Sequence, residues 1–415
     1  MKINLEDIKS INKNPIELFY DGLKASATKE RYTRILRGIL CNIFEDILTG
    51  SFEERATQFV KKAKSDPDWA MSLLLSLSKK LKQRTELPKE EPNYFNPSSF
   101  GNYFKPIKKL FDMNGVPVVW KRVYATFPEE NNVNHGRGYT RDEIRTILSF
   151  AQGAIDRAII LTASSSGIRE GGFMLRWKDL IPVYKIEDRI VLEITESQEP
   201  KAEIVCGILK IYEGSNVYYP AFITPEAYQS LQNLKTTWIM EMQREPKPTD
   251  PIFKKEGTVP IMLKPTAIKA RIDKILKKSG FRKPLPKGQR RHEIPVMNGF
   301  RRFHNKTSKE SLSKDSPLAS LIKKEYIMGH TGLTKLDRNY FQSHVLELVE
   351  EYLNSVPYLT IDDSKELKLE NKIKDETIKK KESENEFLVK EYGKRLSKSE
   401  RIIKELKKRL DSLQS

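Results

Sequence analysis

Four side chains in this chain have the types and spacing to break and remake a phosphodiester bond without a metal. They are Arg169 in SSSGIRE (164–170), Arg301 in NGFRRF (298–303), His330 in MGH (328–330) and Tyr340 in RNYF (338–341). The exchange needs a nucleophile in line with the leaving oxygen, positive charge against the pentacovalent transition state, and a proton for the departing 5′-oxygen. Guanidinium meets the second need, because its planar fork holds two phosphate oxygens and stays charged at any working pH. His330 lies between Met328-Gly329 and Thr331-Gly332, where an imidazole can donate to a phosphate oxygen or shuttle a proton. A phenol with pKa of about 10 is a poor nucleophile unaided, and two clamping arginines lower the cost of its phenolate. The tyrosyl ester so formed keeps the energy of the broken bond, and resealing then needs no ATP.

Taken singly, each residue has an ordinary alternative. An isolated arginine more often makes a surface ion pair worth under about 1 kcal/mol. A histidine at a helix end is more often structural. Tyr326, just before MGH, and Tyr352, in LELVEEYL, are rival tyrosines, and the apolar spacing around Tyr352 makes it a packing residue. Glycines beside the arginines (Gly167, Gly171, Gly172, Gly299) leave room for backbone and phosphate to approach. Arg302 points elsewhere on the same helix and is a candidate for a neighbouring phosphate.

The elements that must position these groups are mostly helical. Residues 1–127 read as a helical domain with a basic exterior. Tyr32, Ile35, Leu36, Ile39, Leu40, Ile43, Phe44 and Ile47 form one stripe at helical spacing. Trp69, Met71, Leu73 and Leu74 open another helix after Pro67, and Phe104–Met113 a further one, closed by Gly115. A polar linker, PEENNVNHGRG, spans 128–138. The segment 139–361 opens on a capping box, Thr140 with Glu143, ahead of Ile144, Ile147 and Leu148. Ile- and Val-rich runs at 190–194 and 203–212, a turn at Glu213–Asn216 and a returning run at Val217–Ile223 predict antiparallel strands. Thr224-Pro225-Glu226 starts a helix. Residues 281–295 form a Pro-punctuated basic loop whose Lys287, Arg290 and Arg291 are candidate phosphate contacts. The expected class is mainly α with a small antiparallel sheet in an α+β domain.

Residues 362–415 are charge-dense and lack proline. Val389, Leu396, Ile403 and Leu410 alternate with Tyr392, Ser399, Leu406 and Leu413 at spacings of three and four, the seam of a coiled coil. Upstream the same register meets Glu382 and Asn385, and the seam weakens.

A formal charge of +18 over 415 residues points to a polyanion, most simply nucleic acid. The two cysteines, Cys41 and Cys206, lack metal-ligand spacing, sit in apolar runs and read as buried thiols. The five histidines form no zinc-type pair. No apolar run reaches membrane-spanning length and MKINLEDIKS lacks the apolar core of a signal peptide, so a cytoplasmic, DNA-associated protein without a membrane partner is expected.

Together these motifs resemble those of archaeal tyrosine recombinases of the phage-integrase type. The likeness runs through SSSGIRE and LRWKDL (175–180), YEGS with FITPEAY (212–228), NGFRRF, MGHTGLTKLDRNYF (328–341) and EEYLNSVPYLTI (350–361). It covers the whole of 139–361, whereas the N-terminal part matches only in position, helical character and charge. The resemblance implies that Arg169 and Arg301 bind the scissile phosphate, that His330 is the histidine of the third box, and that Tyr340 becomes joined to the 3′-phosphate. It implies no cofactor, a double-stranded DNA site held in a C-shaped clamp, and a homotetramer exchanging strands through a four-way junction. Type IB topoisomerases share this chemistry. The resemblance also calls for a lysine near the sheet hairpin as acid for the 5′-oxygen. Lys210, just before the Glu213–Asn216 turn, is the choice and Lys201 the rival. Three departures stand out. Asn298 replaces the usual histidine three residues before Arg301 and cannot act as an acid or base near neutral pH. Gly172 replaces a carboxylate, and the interval from His330 to Tyr340 is one residue longer than is commonest. The first two favour the alternatives of a non-catalytic DNA-binding clamp; the shared chemistry keeps a relaxing topoisomerase in view.

Overall fold

Helix boundaries in this chain are set largely by local capping chemistry, and two compact units result. The computed structural model describes residues 14–129, 136–289, 291–313, 316–330 and 344–413. One unit comprises residues up to 135 together with 285–291, and the other the remainder.

The first unit contains α1 (Pro15–Asp21), α2 (Ser26–Gly38), α3 (Phe52–Ser65), α4 (Pro67–Thr85), α5 (Phe100–Asn114) and α6 (Trp120–Tyr124). Ser51 and Glu54 form a reciprocal box at the start of α3. Asp66 caps α4 ahead of Pro67, and Gly115, in the left-handed region at φ +65°, ends α5. Phe59 anchors the core, with Phe44 at 5.6 Å and Phe111 at 4.8 Å between ring centroids. The stripe from Tyr32 to Ile47 is not one regular helix. After Gly38 the chain runs through a π turn, Ile39–Ile43, where the Phe44 N–H reaches back five residues to the Ile39 carbonyl. The wider turn slips the 3.6-residue period, so Leu36, Ile39, Leu40 and Phe44 are buried while Ile43 and Ile47 are exposed. The helix expected over 104–113 starts earlier, at Phe100, behind a turn that Asn96 caps. Cys41 is half-buried rather than buried.

The second unit contains α7 (Arg141–Ser149), α8 (Ala154–Ser166), β1 (Leu180–Ile186), β2 (Arg189–Val191), β3 (Glu203–Ile211), β4 (Tyr219–Ile223), α9 (Pro225–Met242), α10 (Pro265–Lys278), α11 (Val296–Glu310), α12 (Pro317–Ile327), α13 (Val345–Leu353), α14 (Val356–Leu359) and α15 (Asp363–Leu413). Thr140 and Glu143 cap α7 reciprocally, and the Thr224 hydroxyl caps α9. The four strands are antiparallel in the order β2-β1-β3-β4. The chain is thus mainly helical with a small antiparallel sheet. β1 was not among the expected strands; LIPVYKI contains Pro182, a residue of low β propensity. It is nevertheless interior, with Pro182 opposite Gly207 and a register shift at Val183/Tyr184. β2 ends at Val191, short of the expected 194.

The core gathers around α8, whose residues from Ala158 to Ser166 are all buried. Three core serines satisfy their hydroxyls one turn back: Ser164 on the Ile160 carbonyl at 3.0 Å, Ser165 on Leu161 at 2.7 Å and Ser166 on Thr162 at 2.5 Å. The tail helix α15 is tied at its start, where Arg145 donates to the Ile361 carbonyl at 2.7 Å and pairs with Asp363. Farther along, Val389, Tyr392, Leu396, Ile403 and Leu406 are exposed. Among the described residues no helix is long and apolar enough to cross a membrane.

Candidate active site

The site is built on two left-handed helix ends and one helix face. α8 ends at Gly167 (φ +61°), and the turn there delivers Ile168 into the core and Arg169, in extended conformation, to the surface. α12 ends through Met328 and Gly329 (φ +63°), and the His330 N–H returns to the Glu325 carbonyl at 3.0 Å. Both glycines are also sterically required. A Cβ at Gly167 would meet the His304 ring at 2.8 Å, and one at Gly329 the Tyr219 ring at 2.5 Å.

Arg301 projects from α11 into the interior and is only 7% exposed. It donates to the Gly167 carbonyl at 2.5 Å, 134 positions earlier, and to the Met328 carbonyl at 2.7 Å. Charge-assisted bonds of this kind contribute about 1.5–3 kcal/mol each. Arg169 reaches the same cap from the exposed side, toward the Gly329 carbonyl at 3.4 Å. The carbonyls at a helix C-terminus carry partial negative charge, and both guanidinium groups exploit it. Burial, and then the positive charge of Arg169, pull the pKa of Arg301 below its ordinary value. Among the described residues, neither Arg169 nor Arg301 makes an ion pair with a carboxylate.

His330 is held by Glu325 twice, through the backbone bond above and through Nδ1, 2.6 Å from Glu325 Oε2. Lys309 on α11 pairs with the other carboxylate oxygen at 2.7 Å. Burial raises the Glu325 pKa, but the hydrogen bonds from Lys309 and His330 outweigh it and keep the carboxyl below its usual range. Burial lowers the His330 pKa. Glu325 pulls it up, the charges of Arg301 and Arg169 push it down, and the result is below the ordinary value. Two tyrosines complete the surround. Burial raises the pKa of both Tyr212 and Tyr219, while the two arginines lower it. The Tyr219 hydroxyl is buried with no well-formed hydrogen bond among the described residues.

Arg169, Arg301 and His330 are therefore in one place. Lys210, near the end of β3, pairs with Glu213 at 3.2 Å, and Lys178 holds the other oxygen of that carboxylate at 2.7 Å. Lys201 is exposed in a short turn. Asn298 is exposed on the first turn of α11. Arg302 is half-buried against the chain at Gly136 and Gly138. Lys287 and Arg291 are exposed and belong to the first unit. Tyr340 and Arg290 lie outside the described residues. Tyr326 is 3% exposed, and Tyr352 is buried with its hydroxyl on the Ser165 carbonyl at 2.8 Å.

The glycines expected to admit phosphate have other occupants. A Cβ at Gly299 would meet Tyr139 at 2.4 Å, one at Gly171 the Tyr212 hydroxyl at 2.9 Å, and one at Gly172 the side chains of Ile168 and Ile211 at 3.3 Å. Glu325, Lys309, Tyr212 and Tyr219 escaped the sequence reading. Only Glu325 had a usable signal: Gly329 marks a left-handed cap, and that cap brings the residue after it back over the last turn.

No family model matches the chain, and no curated protein matches it. Several solved structures do. An XerA recombinase is 13% identical, with 81% of this chain and 98% of that one covered at a TM-score of 0.32. An XerH site-specific recombinase bound to a palindromic difH substrate is 15% identical over 84% and 99%, with a TM-score of 0.42. The Tn1549 transposon integrase (residues 82–397 of that protein), in complex with circular intermediate DNA, is 16% identical over 81% and 99%, with a TM-score of 0.44. At such values the functional reading stands on this chain's own residues.

Proposed function

We propose that this chain is a site-specific DNA recombinase of the tyrosine type, which cleaves and rejoins strands through a 3′-phosphotyrosine, and that it serves a mobile element or virus. The observation that carries the reading is the pair Arg169 and Arg301. Two like charges share one helix cap with no carboxylate paired to either among the described residues, an arrangement that an oxyanion relieves. A phosphodiester bound there presents its non-bridging oxygens to both guanidinium groups and its phosphorus to Tyr340. The Tyr340 oxygen bonds to phosphorus as the bond to the 5′-oxygen breaks. The phenolic proton leaves to a base, and the 5′-oxygen takes a proton from a lysine, Lys210 or Lys201. Asn298 donates a hydrogen bond and nothing more. Arg302, Lys287, Arg290 and Arg291 contact flanking phosphates, so affinity falls steeply with salt. Four copies act together on double-stranded DNA, and the apolar seam of α15 pairs protomers as a coiled coil.

The test is a nicked suicide duplex carrying the cognate site, on which the cleaved end diffuses away. The protein becomes covalently trapped, and Tyr340→Phe does not. Equal behaviour of the two on a verified site overturns the reading. Relaxation of supercoils with no recombinant product points instead to a topoisomerase.

A further inference from the structure

The tail helix α15 carries a second surface besides its apolar seam. Lys390, Lys394, Lys398, Arg401 and Lys404 follow one another at intervals of four, four, three and three, and all five are exposed. At 3.6 residues per turn these intervals align them on one side of the helix, with the seam residues Tyr392, Leu396, Ile403 and Leu406 on the other. We infer that the basic stripe is a DNA-binding surface in its own right, which lies along the phosphate backbone of a duplex and leaves the seam free for a second copy of the chain. It takes from the function proposed above only that the chain holds duplex DNA.

Like charges four positions apart on a helix repel one another. Lys390, Lys394 and Lys398 stand at that interval, where an acid in the middle position would have stabilised the helix. Residues 390–404 hold six lysines and arginines against two glutamates, Glu391 and Glu400, and neither glutamate is in register with the stripe. Among the described residues none of the five stripe cations pairs with a carboxylate, whereas Arg395, off the stripe, is bonded to Glu391 at 2.8 Å. A polyanion relieves the repulsion that this spacing builds in. At 1.5 Å per residue the stripe is about 21 Å long, and a duplex carries one phosphate charge per about 1.7 Å of its axis. A row of that length meets several phosphates. Flexible lysine stems reach them as point charges and add affinity without reading bases. A lipid surface fits less well. A helix lying in a membrane interface meets lipid through its apolar face. The stripe points away from that face, so lipid on the seam would leave the five cations in water. Pairing of the seam with a second copy instead turns them outward, toward DNA.

Fluorescence anisotropy of the full-length protein on a labelled duplex without a recombination site tests the inference. One variant combines Lys390→Gln, Lys394→Gln, Arg401→Gln and Lys404→Gln. Glutamine keeps the helix propensity, and the seam is untouched. The variant should bind about tenfold or more weakly at low salt, and its plot of log affinity against log salt should be flatter than that of wild type by about 3 to 4. Light scattering without DNA should return the wild-type mass; if it does not, crosslinking decides. A photoreactive benzoylphenylalanine in place of Arg401 should crosslink to the duplex, and one in place of Ile403 should not. An unchanged salt slope, or equal crosslinking from the two positions, overturns the inference. So does flotation with phosphatidylserine vesicles by wild type and not by the variant, if the two bind DNA alike. The duplex needs no cognate site, so the two readings fail separately. A chain that never forms a covalent adduct ends the recombinase reading alone, and a variant that binds DNA as wild type does ends this one alone.

Discussion

Two clusters of cations in the second unit are treated in opposite ways. Near the end of β3, Lys178 and Lys210 share one carboxylate, Glu213, at 2.7 and 3.2 Å. The hydrogen bond from Lys178, and then that from Lys210, hold the Glu213 pKa down at about 2. At the α12 cap, the hydrogen bonds of Arg169 and Arg301 among the described residues go to backbone carbonyls. Glu325, whose charge acts on Arg301, is itself paired with Lys309 and His330. A compensated cluster needs nothing further. An uncompensated one, partly withdrawn from water, is stabilised by any anion of matching shape, and a phosphodiester matches a pair of guanidinium forks.

The largest effects should come from breaking the uncompensated cluster. Arg301→Ala removes a guanidinium from the phosphate and leaves the carbonyls of Gly167 and Met328 without their donor. Cleavage on the suicide duplex should fall by about 10³-fold or more. Thermal melting should drop as well, since each buried unpaired group costs about 1–3 kcal/mol. Arg169→Ala separates the two roles. Its side chain is exposed, so cleavage should fall by about 10²–10³-fold while melting stays close to wild type. Equal loss of melting temperature in both variants would show that the pair is a structural clamp.

How much of this was legible beforehand depended on the reach of each signal. Gly167 before Arg169 and Gly329 before His330 are left-handed caps that a short motif encodes, so both ends of the site were readable. Their closure on Arg301 spans 134 positions along the chain and depends on tertiary packing. The partners Tyr212 and Tyr219 sit at the edges of strands, where aromatic residues read as ordinary β formers. β1 was not among the expected strands, and the proline in LIPVYKI weakens its strand signal. The stripe at 32–47 was legible in composition but not in phase, since nothing local announces the π turn at Ile39–Ile43. Gly299 was rightly singled out for its lack of a side chain, but the group that needs the space is the ring of Tyr139.

A smaller effect should follow from removing the tail. Truncation from about residue 375 onward removes the proposed seam, of which Val389, Leu396 and Ile403 are exposed. Cleavage at a single site should be retained, and assembly on DNA, followed by native gel or light scattering, should weaken by about tenfold, or 1.4 kcal/mol. Undiminished assembly would assign the helix another role. The smallest effect should come from the compensated cluster. Glu213→Gln releases two lysines, and DNA affinity by fluorescence anisotropy should rise less than about threefold, and only at low salt.

The most direct measurement is the dependence of cleavage on the charge of the scissile phosphate. Wild type and Arg169→Ala would be compared on two suicide duplexes, one with the natural phosphate and one with a neutral methylphosphonate at that position. If the paired guanidinium groups exist to balance phosphate charge, wild type prefers the phosphate, and Arg169→Ala cleaves the neutral substrate faster than the charged one by about tenfold or more. If the variant keeps the wild-type preference, or cleaves the natural phosphate at the wild-type rate, the two arginines do not act on that phosphorus and the account fails.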